Sequence, residues 1–274
     1  MEFFDEIILG ITQGISEFLP ISSSAHLLLA ARFLKLSELS LKDNVGLHFG
    51  TALALCAYYK DLGYRMLAEV VAFGFRLFSP LKRGSDKKPD TSIILLIQFI
   101  VIGSIPAAAV GLFFKKWIEH QLHHQLHLSI PLAVFGVVLW MADRYSFSHR
   151  LLKPGFKDAV IIGAWQALAL IPGVSRSGAT LTAARLCGFN RVDSCHLSFM
   201  LGAVAMVGAT ILEAKAIATQ LWTGQFWIAI LCSFVSGYLM IKVIMKVLPK
   251  IPFWLFMVYR IILALAILGL PRPL

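Results

Sequence analysis

Two stretches of this chain, 153 residues apart, carry the same residues, and each interrupts an apolar segment with polar groups and a proline. Asp5, Gly10, Gln13, Ser22, Ser24, Leu28 and Ala30-Ala31-Arg32 recur as Asp158, Gly163, Gln166, Ser175, Ser177, Leu181 and Ala183-Ala184-Arg185, with Pro20 and Pro172 one residue out of register. A duplication constrains the fold strongly, because both copies must be accommodated in related ways. The solvent it folds in follows from composition: 58% of the 274 residues are hydrophobic and only 15% charged, against roughly 25% in soluble domains. With a mean hydropathy of +0.77, this describes a polytopic membrane protein. The formal charge of +10 then marks cytoplasmic loops and contacts with anionic lipid headgroups, not nucleic acid.

Residues 3–36 are broken by Pro20 and the serine run, and neither half has the roughly 20 residues a full span needs. Two half-helices meeting at membrane depth fit this pattern; such a re-entrant pair requires its irregular backbone to be buried in protein or to line a wet cavity. The acidic start (Glu2, Asp5, Glu6) does not suit a cleaved signal peptide, so the first segment is expected in the mature fold. A span begins at residue 45 and continues beyond 59, and Arg65, Glu69 and Arg76 punctuate a following helix suited to the interface. Lys82, Arg83, Lys87 and Lys88 place the loop 80–90 in the cytoplasm. Spans at 93–114 and 129–142 follow, joined by a polar connector at 115–128. A second basic loop, 143–158, carries Arg144, Arg150, Lys153 and Lys157. Residues 158–188 form another broken segment, and spans at 197–221, 226–246 and 253–270 complete the chain. Three crossings separate the two copies, so they enter the membrane from opposite sides, the plan of an inverted-topology repeat. The expectation is an all-α polytopic membrane protein, one domain over 1–274. It has about six transmembrane helices plus two re-entrant helix pairs, in repeats of about 1–142 and 158–274, with the N-terminus outside.

The two broken segments concentrate the chemistry. Half-helix N-termini present backbone N–H groups and the positive end of a dipole, which suits phosphate. Ser175, Ser177 and Thr180 add hydroxyls, Gly173 adds a close-approaching backbone, and Arg176 adds a planar fork for two phosphate oxygens. Opposite them, Ser22, Ser23 and Ser24 are candidate nucleophiles, with His26 as base or acid. Gln13 and Glu17 share a helical face and offer oxygens to a hard divalent cation, Mg or Ca. Together these groups can carry out phosphoryl transfer. Elsewhere, the histidines at 120, 123, 124 and 127 read as a wet interfacial helix, not a metal site. Trp117, Trp140, Trp222, Trp227 and Trp254 read as interfacial belt residues. The four scattered cysteines read as packing residues.

Gln13-x-x-x-Glu17 followed by Phe-Leu-Pro-Ile-Ser-Ser-Ser-Ala-His26, together with Pro172-Gly-Val-Ser-Arg-Ser-Gly-Ala-Thr180, resembles the two signature motifs of the bacterial undecaprenyl-diphosphate phosphatase family, also known for bacitracin resistance. The resemblance implies a multi-pass enzyme of the inner membrane, often dimeric, with its active site facing the periplasm. Its activity would remove the terminal phosphate of undecaprenyl diphosphate, recycling the lipid carrier for peptidoglycan and other envelope polymers. On this reading Ser23 is the preferred nucleophile, His26 its base, and Glu17 orients His26 or holds a metal. Arg176, Ser22, Ser175, Ser177 and Thr180 would bind phosphate; a His26 nucleophile is the competing assignment. A lipid-phosphate or small-anion transporter is the alternative that an inverted repeat also allows.

Overall fold

The structure is a computed structural model and describes residues 3–36, 41–78, 89–114, 125–146, 152–214, 218 and 223–270. Among them there are eleven helices and no β-strand: α1 (Phe3–Phe18), α2 (Ser23–Phe33), α3 (Leu41–Tyr58), α4 (Lys60–Phe78), α5 (Thr91–Phe113), α6 (Gln125–Arg144), α7 (Phe156–Leu168), α8 (Arg176–Leu186), α9 (Arg191–Leu212), α10 (Gly224–Val247) and α11 (Trp254–Leu268). The basic residues of the loop 80–90, the histidines at 120, 123 and 124, Arg150, Trp117 and Trp222 lie outside the described residues. None of the four cysteines is joined in a disulfide.

Four of the helices, α5, α6, α9 and α10, are long and apolar enough to cross a membrane. The sequence suggested six spans; the other two segments form α3 and the apolar but shorter α11, 15 residues long, or about 22 Å at 1.5 Å per residue. Outward-facing apolar side chains such as Ile105, Leu112, Leu231, Leu239, Ile262 and Leu265 are more than half exposed. That belongs to a surface solvated by hydrocarbon, where apolar exposure carries no penalty.

Both broken segments are pairs of short helices, α1–α2 and α7–α8, none exceeding 16 residues. The duplicated positions have the same backbone geometry. Ser22 and Ser175, which immediately precede α2 and α8, both have φ of 72°. Such a conformation costs a non-glycine residue about 1–3 kcal/mol and persists only where packing over-determines it. The helix ends repeat too: Leu34 and Cys187 donate to the carbonyls of Ala30 and Ala183, and the next residues, Lys35 and Gly188, take positive φ.

Packing interlocks the halves of the chain. α1 lies along α10, and α7 along α5. Gly10 of α1 sits against Ala229 and Cys232, and its counterpart Gly163 of α7 against the backbone of Gly103, positions that leave no room for a Cβ. The central core joins the break after α1 to α8, α9 and α10 through Phe18, Ile21, Leu181, Phe199 and Ile241, with Phe18 edge-on to Phe199 at 5.5 Å.

α9 begins six residues earlier than the apolar pattern suggested. Asn190 caps it by accepting from the Asp193 N–H at 2.9 Å. Arg191 in its first turn is held by Asp143 at 2.6 Å and by the carbonyls of Pro249 and Ile251. A polar first turn is helical here because its charges are paired.

Candidate active site

The breaks after α1 and α7 face each other, and one buried carboxylate joins them. Glu17, in the last turn of α1, is 5% exposed. Its Oε1 accepts from Arg176 Nη2 at 2.7 Å. Its Oε2 accepts from Ser23 Oγ at 2.7 Å and from Gln13 Nε2 at 3.1 Å. Ser23 and Arg176 are the first residues of α2 and α8 and are related by the 153-residue offset. Equivalent positions of the two copies thus grip opposite oxygens of a single carboxylate.

Arg176 is placed by α9. Its Nη1 donates to the Ser198 carbonyl at 3.2 Å, and its guanidinium lies where a side chain on Gly202 would stand. Thr180, one turn along α8, donates to the Arg176 carbonyl at 2.8 Å and pairs with Ser198 Oγ at 2.6 Å. Ser177 donates to the Leu19 carbonyl across the break at 2.9 Å. Ser175 caps α8 by accepting from the Gly178 N–H at 3.2 Å. Gly173 has a φ of 89°, and a Cβ there would strike the Leu128 carbonyl.

His26 is turned away from Ser23. Nδ1 donates to the Ser22 carbonyl at 2.7 Å, and Nε2 accepts from the Tyr259 hydroxyl at 2.6 Å, with the two rings stacked 5.7 Å apart. The group in contact with the Ser23 hydroxyl is therefore Glu17. Ser22 Oγ pairs with Ser24 Oγ at 3.2 Å, as Ser175 Oγ does with Ser177 Oγ.

Three residues that motif reading did not single out belong to this centre. His48 of α3 stands with Nδ1 3.0 Å from Gln13 Nε2 and 3.6 Å from Glu17 Oε2. Tyr259 of α11 holds His26. Its neighbour Arg260 is fully buried and donates to four carbonyls: Leu132 at 2.8 Å, Pro20 at 3.2 Å, Gly173 at 3.0 Å and Val174 at 2.9 Å. It ties both breaks to α6 and α11, and its charge raises the local positive potential. An arginine inside an apolar span was a visible signal in the sequence, since hydrocarbon disfavours it strongly; His48 and Tyr259 gave none.

A strained pair of half-helix N-termini, a buried carboxylate bearing a serine hydroxyl, and an arginine fork thus meet inside an all-helical multi-pass membrane protein. The family described as Bacitracin resistance protein BacA matches residues 6–266, and the chain belongs to that family. Relatives named undecaprenyl-diphosphatase from Moorella thermoacetica (36% identical over 270 residues) and Alcanivorax borkumensis (37% over 273) each align over 98% of both chains. A third with that name, from Thermomicrobium roseum, is 37% identical over 280 aligned positions at the same coverage.

Proposed function

We infer that this multi-pass membrane protein is a prenyl-diphosphate phosphatase that hydrolyses undecaprenyl diphosphate to undecaprenyl phosphate and inorganic phosphate. The observation that carries the reading is the meeting of Ser23 and Arg176 on the two oxygens of Glu17. A transporter needs a polar centre but no hydroxyl poised on a buried carboxylate.

The terminal phosphoryl sits between the two breaks, with the prenyl chain in the surrounding hydrocarbon. Ser23 Oγ attacks the terminal phosphorus and its proton passes to Glu17 Oε2. The bond from phosphorus to the bridging oxygen breaks, and undecaprenyl phosphate leaves with the electron pair. Water then attacks the phosphoserine, and Glu17 returns its proton to Ser23 Oγ as inorganic phosphate departs. Arg176 and the N–H groups opening α8 face the charge on the transferred phosphoryl, usually the largest contribution in such reactions. Ser22, Ser175, Ser177, Thr180 and Gly173 shape that anion-binding wall. This assignment gives the base role to Glu17, the group within reach of Ser23, and gives His26 the task of fixing the Ser22 turn through its carbonyl.

Gln13 and Glu17 fit a divalent cation: Gln13 is fully buried and its Oε1 has no protein partner, beside a carboxylate oxygen. A bound Mg or Ca ion would offset the diphosphate's negative charge. The site opens to the periplasmic face of the inner membrane, and the two copies run in opposite directions through the bilayer; accessibility of single cysteines to an impermeant thiol reagent tests both. Association as a homodimer follows from the family resemblance and is read by light scattering in micelles.

The central test is phosphate release from undecaprenyl diphosphate by purified protein in detergent micelles, followed by phosphoenzyme trapping. An acid-stable adduct lost in Ser23→Ala supports the mechanism. An acid-labile adduct would move the nucleophile to His26. Movement of lipid between vesicles without phosphate release would replace the enzyme by a transporter.

A further inference from the structure

Away from Glu17, helices α3, α4, α5 and α9 enclose a cavity of about 410 Å3, within the size range of ligand sites. Its walls are apolar: Leu55 of α3, Leu62 and Met66 of α4, Ile100 of α5, and Met200 and Val204 of α9. Among the described residues that line it, the one charged side chain is Lys60, which is exposed and makes no ion pair with any of them. Tyr58 and Tyr59 stand edge to face at the same end, 4.9 Å apart, and the Tyr59 hydroxyl pairs with His196 Nδ1 near the start of α9 at 2.7 Å. Tyrosines beside a lysine that reaches outward mark the membrane–water interface. The start of α9 is also where Arg191 meets Asp143, which opens the second basic loop, so this is the end that positive residues place in the cytoplasm. Gly63 lines the cavity too, and a Cβ built there meets nothing within 4 Å. Glycine inside a helix is destabilising. Close helix contact accounts for Gly10 and Gly163, whereas at Gly63 the missing side chain only widens the cavity.

We propose that this cavity seats one acyl chain of an anionic glycerophospholipid of the cytoplasmic leaflet, with the lipid phosphate on Lys60. The proposal is independent of the phosphatase reading. Charge and depth select the occupant. A lysine at the interface attracts an anionic head group, and a chain that starts there runs straight down the wall formed by Leu55, Met200 and Val204. A zwitterionic head would bring a second cation to Lys60; the neighbouring Asp61 does not line the cavity, and Arg65 is already paired with Asp90. The prenyl chain of a lipid held at Arg176 is not placed to enter. Arg176 touches α9 at Ser198 and Gly202, and at 3.6 residues per turn Met200, Ala203 and Val204 lie on nearly the opposite face, so α9 stands between the two. The bound chain would also complete the seat of α4. That helix packs against α5 and, at its start, α3, and an acyl chain under its first two turns fills the space between it and α9.

The test uses the full chain, delipidated in detergent micelles, and a phosphatidylglycerol with a photoactivatable diazirine in one acyl chain. Cross-links mapped by mass spectrometry should fall on the cavity-lining residues of α3, α4 and α9. Unlabelled phosphatidylglycerol should compete for them better than phosphatidylcholine with the same chains. Lys60→Gln should weaken the labelling roughly fivefold, the worth of one lysine near an anionic lipid surface. Gly63→Leu places a side chain in open space and favours the helix, so it should abolish the mapped cross-links without lowering the unfolding temperature. Cys56 lines the cavity and gives a readout without substitution: alkylation of its thiol should slow when phosphatidylglycerol is added. Stronger competition by undecaprenyl phosphate than by phosphatidylglycerol would make the cavity a seat for the prenyl chain and overturn the proposal. Cross-links spread over the outward faces of many helices and unchanged in Gly63→Leu would overturn it as well, since they would report surrounding lipid only.

Discussion

Replacing Arg176 separates its two tasks, because they have different magnitudes. The guanidinium is 14% exposed and its partner Glu17 5% exposed. Arg176→Ala leaves a buried carboxylate with only Ser23 and Gln13 as neutral donors, and breaking a buried pair from one side costs about 3–5 kcal/mol. For the reaction, removing one preorganised group facing the developing charge costs on the order of 10²–10³ in kcat. Arg176→Lys keeps the charge, but an ammonium cannot span Glu17 Oε1, the Ser198 carbonyl and a phosphoryl oxygen as the fork does. Loss of one charge-assisted bond, about 1.5–3 kcal/mol, predicts a roughly 10- to 150-fold fall in kcat/KM at 1.36 kcal/mol per decade. Adding Glu17→Gln to Arg176→Ala removes the stranded charge, so the double variant should regain most of the lost thermal stability while remaining inactive. Thermal unfolding and phosphate release on the same micellar samples measure the two quantities. Arg176→Ala with wild-type unfolding temperature and turnover within tenfold of wild type would refute the junction.

Tyr259→Phe removes the hydroxyl donated to His26 Nε2 and leaves the ring stack in place. One such bond is worth about 1 kcal/mol, so kcat/KM should fall roughly fivefold, with no change in the phosphoenzyme's acid stability. Gln13→Glu adds a carboxylate beside Glu17 and should leave the enzyme active while tightening its hold on a divalent cation, read as a higher chelator concentration for half-inhibition. Asp90 caps α5 by accepting from the N–H groups of Ile93 and Ser92 and pairs with Arg65. The bond from Ile93 is the largest contribution holding its carboxyl below the ordinary carboxylate range. Because the folded value is depressed, the cap's stabilisation is present above the unfolded pKa and is lost as pH falls through the folded one. Hydrogen exchange at the start of α5 should quicken on acidification in the wild type but not in Asp90→Asn.

The breaks were legible because proline and serine runs in apolar segments leave few alternatives, and all four short helices fall where that pattern puts them. The early start of α9 was written in Asn190-x-x-Asp193, yet its first turn looks like loop until Asp143 and Pro249 are known to be nearby. Sequence spacing also pointed to the wrong neighbour for His26. One helical turn relates it to Ser22, and that is the contact it makes, through the backbone. Ser23 instead meets Glu17 across the break, where helical periodicity stops applying. His48 was out of reach for a different reason: nothing local ties position 48 to positions 13 and 17 until α3 packs against α1.

The duplication explains why the site is asymmetric although its frame is repeated. Ser22 and Ser175 share a strained φ that turns the following helix inward, so the first residue of each helix aims at the same central space. A pair of identical residues there would give two hydroxyls or two cations and no reaction. Divergence at three offsets resolves this: Glu17 against Leu170, Ser23 against Arg176, His26 against Ala179. The first copy keeps the carboxylate, hydroxyl and imidazole, and the second supplies the fork and the apolar wall. Gln13 and Gln166 record the difference. Gln13 bonds to Glu17 and His48, whereas Gln166, facing Leu170 in place of an acid, keeps both amide atoms buried without a protein partner. The second glutamine therefore adds little to folding through hydrogen bonding, and replacing it with a similarly sized Met should be neutral or stabilising, whereas Gln13→Met should be neither, because it strips a donor from a buried carboxylate.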